Sequence, residues 1–323
     1  MNLYKAIGVL FVLFVGATVM FAFSPRHGAP VPPTEIRIEQ LLMLDAALLE
    51  DGRLVAAGER GRIFYSDDGG AYWQTAASPT EATLTALSFT DARHGVAVGH
   101  DAVVLRTEDG GTTWQLVAED PQAEAPLLAV RMEADGRGLA VGAYGSALAS
   151  ADGGAHWEPV TLADDDRHFN ALAALPDGTL LLAGEAGLLM RSDDGGENWA
   201  ALESPYNGSF FGLLTLPGDV VLAYGMRGHI FRSEDRGEHW EEVDSGIEAT
   251  LFGGRVLDDG RVVLAGQAGT VLVGDAQGRG FAPGGNDDTG VYGAVLPRAG
   301  GLLLFGEGGV RRMAMEGNGG SKQ

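Results

Sequence analysis

The sequence SDDGGAYW at Ser66–Trp73 occurs, with small changes, four more times along the chain. The other copies are TEDGGTTW at Thr107–Trp114, SADGGAHW at Ser150–Trp157, SDDGGENW at Ser192–Trp199 and SEDRGEHW at Ser233–Trp240. A catalytic site is needed once in a protein, whereas a structural unit is needed once in each copy. The phrase therefore indicates a repeated unit, and such repeats decide the architecture of a chain.

The period of the repeat can be read from two markers. The five tryptophans are 41, 43, 42 and 41 residues apart, and a degraded copy, GDAQGRGF, ends one period later at Phe281. The second marker is a small or apolar run that ends in glycine ahead of each phrase. It occurs seven times, at Gly58, Gly99, Gly142, Gly184, Gly225, Gly266 and Gly306. The chain therefore contains seven units, and the seventh lacks the phrase.

Each unit is predicted to form four short strands separated by turn signals. In the second unit these are Leu84–Phe89, Gly95–Gly99, Val103–Thr107 and Trp114–Val117. Four strands in about 40–45 residues is the period of a propeller blade, so we predict an all-β, seven-bladed β-propeller. Since the seventh unit is one strand short, we expect Thr34–Gln40 (TEIRIEQ) to supply its outer strand and close the ring.

The recurring phrase has the residue types of a tight turn. Its hydroxyl and carboxylate can hydrogen-bond backbone amides of the turn, its glycine tolerates positive φ, and its tryptophan can be buried against a neighbouring blade. Calcium needs about six to eight oxygen ligands, which one copy does not offer. We therefore predict a structural role and no metal site. The residues concerned are Ser66, Asp68, Gly70, Trp73, Thr107, Asp109, Gly111, Trp114, Ser150, Asp152, Gly154, Trp157, Ser192, Asp194, Gly196, Trp199, Ser233, Asp235, Gly237 and Trp240.

Composition excludes several classes of function. The 323 residues are 45% hydrophobic, contain no cysteine and carry a formal charge of −22. Such an acidic chain is not expected to bind nucleic acid or anionic lipid heads, since both need clustered Lys and Arg. The lack of cysteine excludes disulfides, thiolate metal sites and cysteine nucleophiles.

The N-terminal residues 1–23 are predicted to be a membrane anchor or a signal segment. Ala6–Phe23 has no charged residue, and its length suits a spanning helix of ~20 residues better than the ~7–15-residue core of a signal peptide. We therefore favour an inner-membrane anchor with the propeller in the periplasm. If residues 1–23 are cleaved, the propeller is secreted to the periplasm. Residues 24–33 are assigned as a proline-rich tether, 34–316 as the propeller and 317–323 as a disordered tail.

The phrase resembles the Asp-box, or BNR repeat, a hairpin between the third and fourth strands of propeller blades. Sialidases, sortilin-type receptors, some glucanases and photosystem II stability/assembly factor-like proteins carry it. The continuous texture of glycine marker, short loop and Asp-box over residues 34–316 most resembles the last family. That resemblance implies a non-catalytic scaffold without cofactors that binds an integral membrane protein or complex. In a non-photosynthetic bacterium, an accessory of a resistance-nodulation-division exporter is the corresponding expectation.

Two other functions stay open. A sialidase- or glucanase-like hydrolase is the alternative, although the arginine-isoleucine-proline motif that a sialidase resemblance implies is absent near TEIRIEQ. A binder of a small ligand or cation in the central channel is the third. No metal pair, nucleophile elbow or phosphate loop occurs in the sequence, so we predict that the protein is not an enzyme. The propeller itself is expected to be monomeric.

Candidate partner-binding residues lie in the loops between strands two and three and between blades, which we expect on one face. Exposed Arg and Tyr favour interfaces, although each of these residues alone also fits an ordinary solvated loop. The candidates on this face are Arg60, Arg62, His100, Tyr144, Arg167, His168, Tyr206, Arg227 and His229.

The innermost strands supply four further candidates. Phe211, Phe252 and Tyr292 precede small residues on three consecutive blades. They are predicted to form an apolar arc for protein docking, with packing between blades as the alternative. Asp45 stands where the other blades have Ala or Gly, and it is expected to face the channel, as a solvated group or toward a bound one.

Overall fold

The computed structural model describes residues 3–22, 37–164, 166–285 and 288–315. The chain divides into two units, Met1–Ile36 and Arg37–Gln323. In the first unit, α1 spans Leu3–Ala22. Within the described residues, no helix combines the length and apolar character needed to cross a membrane. The predicted membrane-spanning helix is therefore not confirmed, and the tether 24–33 and the tail 317–323 lie outside the described residues.

The second unit contains seven sheets among the described residues, which confirms the predicted seven-bladed propeller. Blades 1 to 4 comprise β1 (Met43–Leu48), β2 (Leu54–Gly58), β3 (Ile63–Ser66), β4 (Gln74–Thr75), β5 (Leu84–Phe89), β6 (Gly95–Gly99), β7 (Val104–Thr107), β8 (Gln115–Ala118), β9 (Leu127–Met132), β10 (Gly138–Gly142), β11 (Ala147–Ser150), β12 (Glu158–Pro159), β13 (Phe169–Ala174), β14 (Leu180–Gly184), β15 (Leu189–Ser192) and β16 (Ala200–Ala201). Blades 5 to 7 comprise β17 (Phe210–Leu216), β18 (Val220–Gly225), β19 (Ile230–Ser233), β20 (Glu241–Val243), β21 (Leu251–Val256), β22 (Val262–Gly266), β23 (Val271–Gly274), β24 (Ala282–Pro283), β25 (Tyr292–Arg298), β26 (Gly301–Gly306) and β27 (Gly309–Ala314).

Each blade is an antiparallel meander whose strands pair in chain order. The second strand, such as β6 (GVAVG), is buried along its whole length, because both faces of a blade are covered by its neighbours. This explains the apolar runs that end in the marker glycine. In the second blade, the observed strands differ from the predicted ones by at most one residue at each end.

The seventh blade differs from the prediction at its outer edge. It has three strands among the described residues, and Ile38–Gln40 forms a 3-10 turn, not a strand. The side chain of Ile38 is 2% exposed and joins the core shared by blades 7 and 1, and its backbone lies against Gly309 at the start of β27. The other half of the predicted strand, residues 34–36, lies outside the described residues.

The Asp-box forms the hairpin that the sequence predicts. In blade 1 the Ser66 hydroxyl donates to Asp68 Oδ1 at 2.8 Å and accepts from the Gly70 N–H at 3.0 Å. The same Oδ1 accepts from the Ala71 and Tyr72 N–H groups, both at 2.9 Å. These bonds, that from Tyr72 first, hold the pKa of Asp68 below its ordinary value. The carboxylate is thus engaged by its own turn, as a structural role requires.

The hairpins of blades 2 and 3 also pack on the preceding blade in the ring. A Cβ on Gly111 would lie 3.0 Å from Val55 of blade 1, and one on Gly154 would lie 2.8 Å from Val96 of blade 2. The indole of Trp114 is 5% exposed in the cluster shared by blades 1 and 2. Its N–H donates to the Gly111 carbonyl at 3.0 Å. The tryptophan therefore closes a blade-to-blade core, which is where most of the apolar burial lies.

An arginine of the preceding blade contacts every described hairpin between third and fourth strands; we call these arginines the clamp arginines. They bind backbone carbonyls of the next hairpin in five cases and a carboxylate in one. The pairs are Arg312 with Gly70 and Ala71, Arg53 with Asp109 and Gly110, Arg106 with Gly153, Arg137 with Gly195, Arg191 with Glu238, and Arg232 with Gln277. A directional, charge-assisted bond thus accompanies each apolar contact and fixes its register.

A buried clamp arginine should contribute several times more to the free energy of unfolding than an ordinary surface ion pair does. Arg232 is 4% exposed and donates to the Gln277 carbonyl at 2.6 Å, so Arg232→Met removes a charge-assisted bond between blades 5 and 6 and should lower the free energy of unfolding by about 1.5–3 kcal/mol. The matched control is Arg261→Met, because Arg261 pairs with Asp259 of its own exposed hairpin and should cost about 0–1 kcal/mol. Urea unfolding of both variants measures the difference, and equal losses would contradict the clamp.

Candidate binding surface at the mouth of the propeller

A β-bulge interrupts the innermost strand of every blade at the same point, one residue after its pairing with the marker glycine begins. A bulge re-aims a side chain, and here all seven bulge residues line one central cavity of about 690 Å³. We call them the bulge ring. Its members are Leu44, Thr85, Leu128, Asn170, Phe211, Phe252 and Gly293.

Two members of the bulge ring are braces between blades. Thr85 donates to the Leu127 carbonyl of the next blade at 2.6 Å, and Asn170 donates to the Phe210 carbonyl at 2.8 Å. Their polar groups are therefore committed to the scaffold, which leaves the ring mainly apolar toward the cavity.

Phe211 and Phe252 form the apolar arc at the mouth. Their rings are 5.2 Å apart between centroids, both side chains are half-buried, and both line the cavity. Burial against neighbouring blades is incomplete at this position, so an apolar surface remains within reach of a partner.

Tyr292 does not belong to the arc. Its side chain is fully buried in the core shared by blades 6 and 7, and it pairs with the marker Gly306 as Phe210 pairs with Gly225. In blade 7 the segment from the bulge residue to the marker glycine is one residue shorter than the same segment in the other blades. The position equivalent to Phe211 is therefore Gly293, and the expectation from sequence was displaced by one residue.

Asp45 faces the cavity but is held by backbone groups. Its Oδ2 accepts from the Leu87 N–H of blade 2, and its Oδ1 accepts from the Ala46 N–H, both at 2.8 Å. Burial raises the pKa of Asp45 to about 6, although these two bonds and the charge of Arg255 oppose that rise. Asp45 therefore joins blade 1 to blade 2, and with a pKa of about 6 its charge changes in mildly acidic solution.

Tyr224 and Arg255 line the cavity with Asp45, and neither position was predicted from the sequence. Burial raises the pKa of the Tyr224 phenol and the charge of Asp45 adds to the rise. Space for this phenol comes from two glycines, since a Cβ on Gly212 would lie 2.1 Å from its ring and one on Gly254 would lie 2.6 Å from its oxygen. The signal was present in the marker AYG at Ala223–Gly225, where the other blades have no tyrosine.

The loops after the marker glycines surround the mouth in a strained conformation. In six blades the second loop residue is left-handed without being glycine, with φ between 49° and 59°; these residues are Arg60, Asp101, Tyr144, Ala186, Arg227 and Ala268. Such a residue costs of order 1–2 kcal/mol, and strain of this kind accumulates at binding sites. The side chains of Arg60, Tyr144 and Arg227 are exposed as a result.

The other predicted face residues fall into separate places around the rim. The ring of His168 contacts that of Tyr144 in a tilted arrangement, with 4.8 Å between ring centroids. The ring of His229 contacts that of Tyr206 in a tilted arrangement, with 4.4 Å between ring centroids, and its Nδ1 lies 2.6 Å from the Glu242 carboxylate. His100 is exposed, while Arg62 and Arg167 are partly buried. The rim therefore carries several small clusters around the apolar mouth.

The family is shown by a match over most of the propeller. The family model described as photosynthesis system II assembly factor YCF48 matches residues 71–135 and 119–272. The chain belongs to the YCF48 family. No curated sequence matches it significantly.

Solved structures support the YCF48 fold. A YCF48 bound to a D1 peptide is 17% identical with a TM-score of 0.70, over 86% of this chain and 93% of that one. YCF48 from Cyanidioschyzon merolae is 14% identical with a TM-score of 0.69, over 85% and 96%. The WD40 propeller domain of Doa1, at 12% identity, a TM-score of 0.66 and coverage of 86% and 94%, shares the architecture. At these identities the likeness shows the fold alone.

The carboxyl of Asp45 should give this YCF48-type propeller a distinctive pH dependence. With a pKa of about 6 in the folded chain against an ordinary 3.8, the folded state binds a proton that the unfolded state has lost. Stability from this group therefore falls as the pH rises from about 4 to 6, by up to about 3 kcal/mol. Urea unfolding at several pH values should show that Asp45→Asn removes this slope, whereas Asp51→Asn, at an exposed position of the same blade, retains it. A wild-type minus Asp45→Asn difference that is flat from pH 4 to 7 would contradict the assignment.

Proposed function

We propose that this protein is a non-catalytic assembly or scaffold factor that binds a segment of a membrane protein at the mouth of the propeller. The observation that carries the proposal is the apolar arc of Phe211 and Phe252 on the bulge ring, inside a rim of exposed arginine and tyrosine. Aromatic anchors inside a polar rim are typical of protein-binding surfaces. Membership of the YCF48 family supports the role, and one solved YCF48 is bound to a D1 peptide.

The cavity does not favour the hydrolase alternative. Glycoside hydrolases need a pair of carboxylates across the scissile bond, and Asp45 is the one carboxylate among the described residues that line this cavity. A sialidase-like site would need an arginine triad, and Arg255 is the one arginine among the same described residues. These features support a binding role in which polar groups position a segment without reacting with it.

The proposed location is the outer side of the cytoplasmic membrane, and the N-terminal sequence supports it. The uncharged run Ala6–Phe23 comes directly after Lys5, an order that favours export of the chain beyond the run. Protease treatment of spheroplasts tests the location: the propeller should be digested there, and its protection until lysis would place it in the cytoplasm.

Outside photosynthesis, an exporter of the resistance-nodulation-division type is the partner that we propose.

Binding at the mouth is tested with the double variant Phe211→Asp and Phe252→Asp. Charged side chains in the arc should reduce capture of the partner from native membranes by at least about tenfold, since central aromatic anchors dominate binding. The matched control is Tyr72→Asp with Leu116→Asp, two exposed apolar residues away from the mouth. Capture is measured with the full-length protein in mild detergent, with thermal unfolding as the check on folding. A folded mouth variant that captures the partner as well as wild type would exclude the arc as the binding site.

A further inference from the structure

The contact between blades 3 and 4 departs from the rule that the other blades follow. A Cβ on the box glycine meets the preceding blade at 2.7 to 3.0 Å in boxes 1, 2 and 3, whereas Gly196 of box 4 meets only Leu180 of its own blade. The residue of blade 3 that should cover it, Leu139, is 9% exposed, while its counterpart Val55 in blade 1 is fully buried. The two blades therefore stand apart at this point.

A pocket of about 470 Å³ lies between the two blades at this point. Leu139, Leu162, Leu172 and Leu180 form its apolar walls, and Ala149 and the box of blade 4 also line it. The charged lining residues of blade 3 are Arg131, Glu133 and Arg137, of which Arg131 and Glu133 pair with each other. Ala149 occupies the strand position that holds Arg106 in blade 2, Arg191 in blade 4 and Arg232 in blade 5, directly before the Ser or Thr of the box. The pocket thus lies where other blades carry their own clamp arginine.

The next interface in the ring shows what such an arginine contacts. Arg191 of blade 4 reaches Glu238 of box 5, with Nη1 3.2 Å from Oε1. Glu197 of box 4 is the counterpart of Glu238, since each follows the second glycine position of its box. Glu197 lines the pocket. Among the described residues it forms no ion pair within 4.0 Å, and its charge contributes only a minor part of the rise in the pKa of Arg137, which comes first from Asp135. The carboxylate half of the pair is therefore present, while its arginine half is replaced by alanine.

The substitute clamp in blade 3 does not fill the pocket. Arg137 donates to the Gly195 carbonyl at 3.2 Å but is paired with Asp135 at 2.8 Å and is 51% exposed. In blade 1, which also lacks an arginine before its box, Arg53 lies over the ring of Tyr65 at 5.0 Å and is only 21% exposed. Tyr65 fills in blade 1 the space that Ala149 leaves open in blade 3.

We propose that the pocket between blades 3 and 4 binds an arginine side chain of a partner polypeptide. The aliphatic part of that side chain would pack on Leu139 and Leu172, and its guanidinium would pair with Glu197 as Arg191 pairs with Glu238. The formal charge of −22 favours a cationic partner group. This site lies beside the Asp-box hairpins, at the opposite end of the blades from the mouth, and it does not depend on the function proposed above.

The test uses the indole N–H signals of the full-length, isotope-labelled protein. The chain has five tryptophans, one in each complete box, and Trp199 packs against the cluster that contains Leu139 and Leu172. The probes are acetyl-Gly-Arg-Gly-amide and its uncharged citrulline analogue, each added to ~10 mM so that millimolar binding is populated. The arginine peptide should shift the Trp199 signal and leave the other four in place, and the citrulline peptide should bind at least about threefold more weakly.

Three variants separate the pocket from the rest of the surface. Ala149→Arg supplies the clamp from within the chain and should abolish the Trp199 shift. Glu197→Gln should lower the affinity for the arginine peptide about threefold or more. Glu238→Gln, at the interface that has its own arginine, should leave that affinity unchanged. An unmoved Trp199 signal, equal binding of the two peptides, or equal effects of Glu197→Gln and Glu238→Gln would each overturn the proposal. If Ala149→Arg does not fold, the two glutamate variants decide alone.

Discussion

The arginine that reaches from one blade to the Asp-box hairpin of the next is the interaction on which the ring depends. Backbone ladders run within the blades, so neighbouring sheets adhere mainly through side chains. Seven apolar clusters, each shared by two blades, supply the burial, but apolar contact is not directional. The clamp arginines supply direction. They also place positive charge between blades in a chain with twice as many acidic as basic residues, 44 against 22, where self-repulsion would otherwise oppose closure.

The repeat also produces the bulge ring. Because each blade carries a bulge at the same point, seven side chains are re-aimed at one axis, and their chemistry is free to vary once the register is fixed. Thr85 and Asn170 use that freedom to brace the next blade, while Phe211 and Phe252 use it to present an apolar surface. The scaffold and the candidate binding surface thus share one geometric device.

Much of this was predictable from sequence, because the period and the Asp-box are local patterns. The strands of blade 2 follow from turn signals, the tryptophan spacing gives the period, and the seven marker glycines give the number of blades. The remainder depends on contacts between distant residues. Nothing near Asp45 indicates that its carboxylate binds the Leu87 N–H of another blade, and nothing in TEIRIEQ indicates that Ile38 is drawn into the core between blades 7 and 1. Tyr292 was misplaced because a one-residue difference inside a hairpin moves a side chain from the mouth to the core.

A repeated chain is its own comparison, and departures from the repeat separate into two kinds. Some are compensated elsewhere: Tyr224 is large where other blades have no tyrosine, but Gly212 and Gly254 make room for it, and Tyr65 replaces a clamp arginine but supports Arg53 instead. Others have no compensation within the described chain. Phe211 and Phe252 stay half-buried at the mouth, and Ala149 leaves a pocket beside Glu197. Packing alone would favour filling or covering such positions. Compensation within the chain accounts for the first kind of departure, and the proposed partner, by covering Phe211, Phe252 and the pocket beside Glu197, would account for the second.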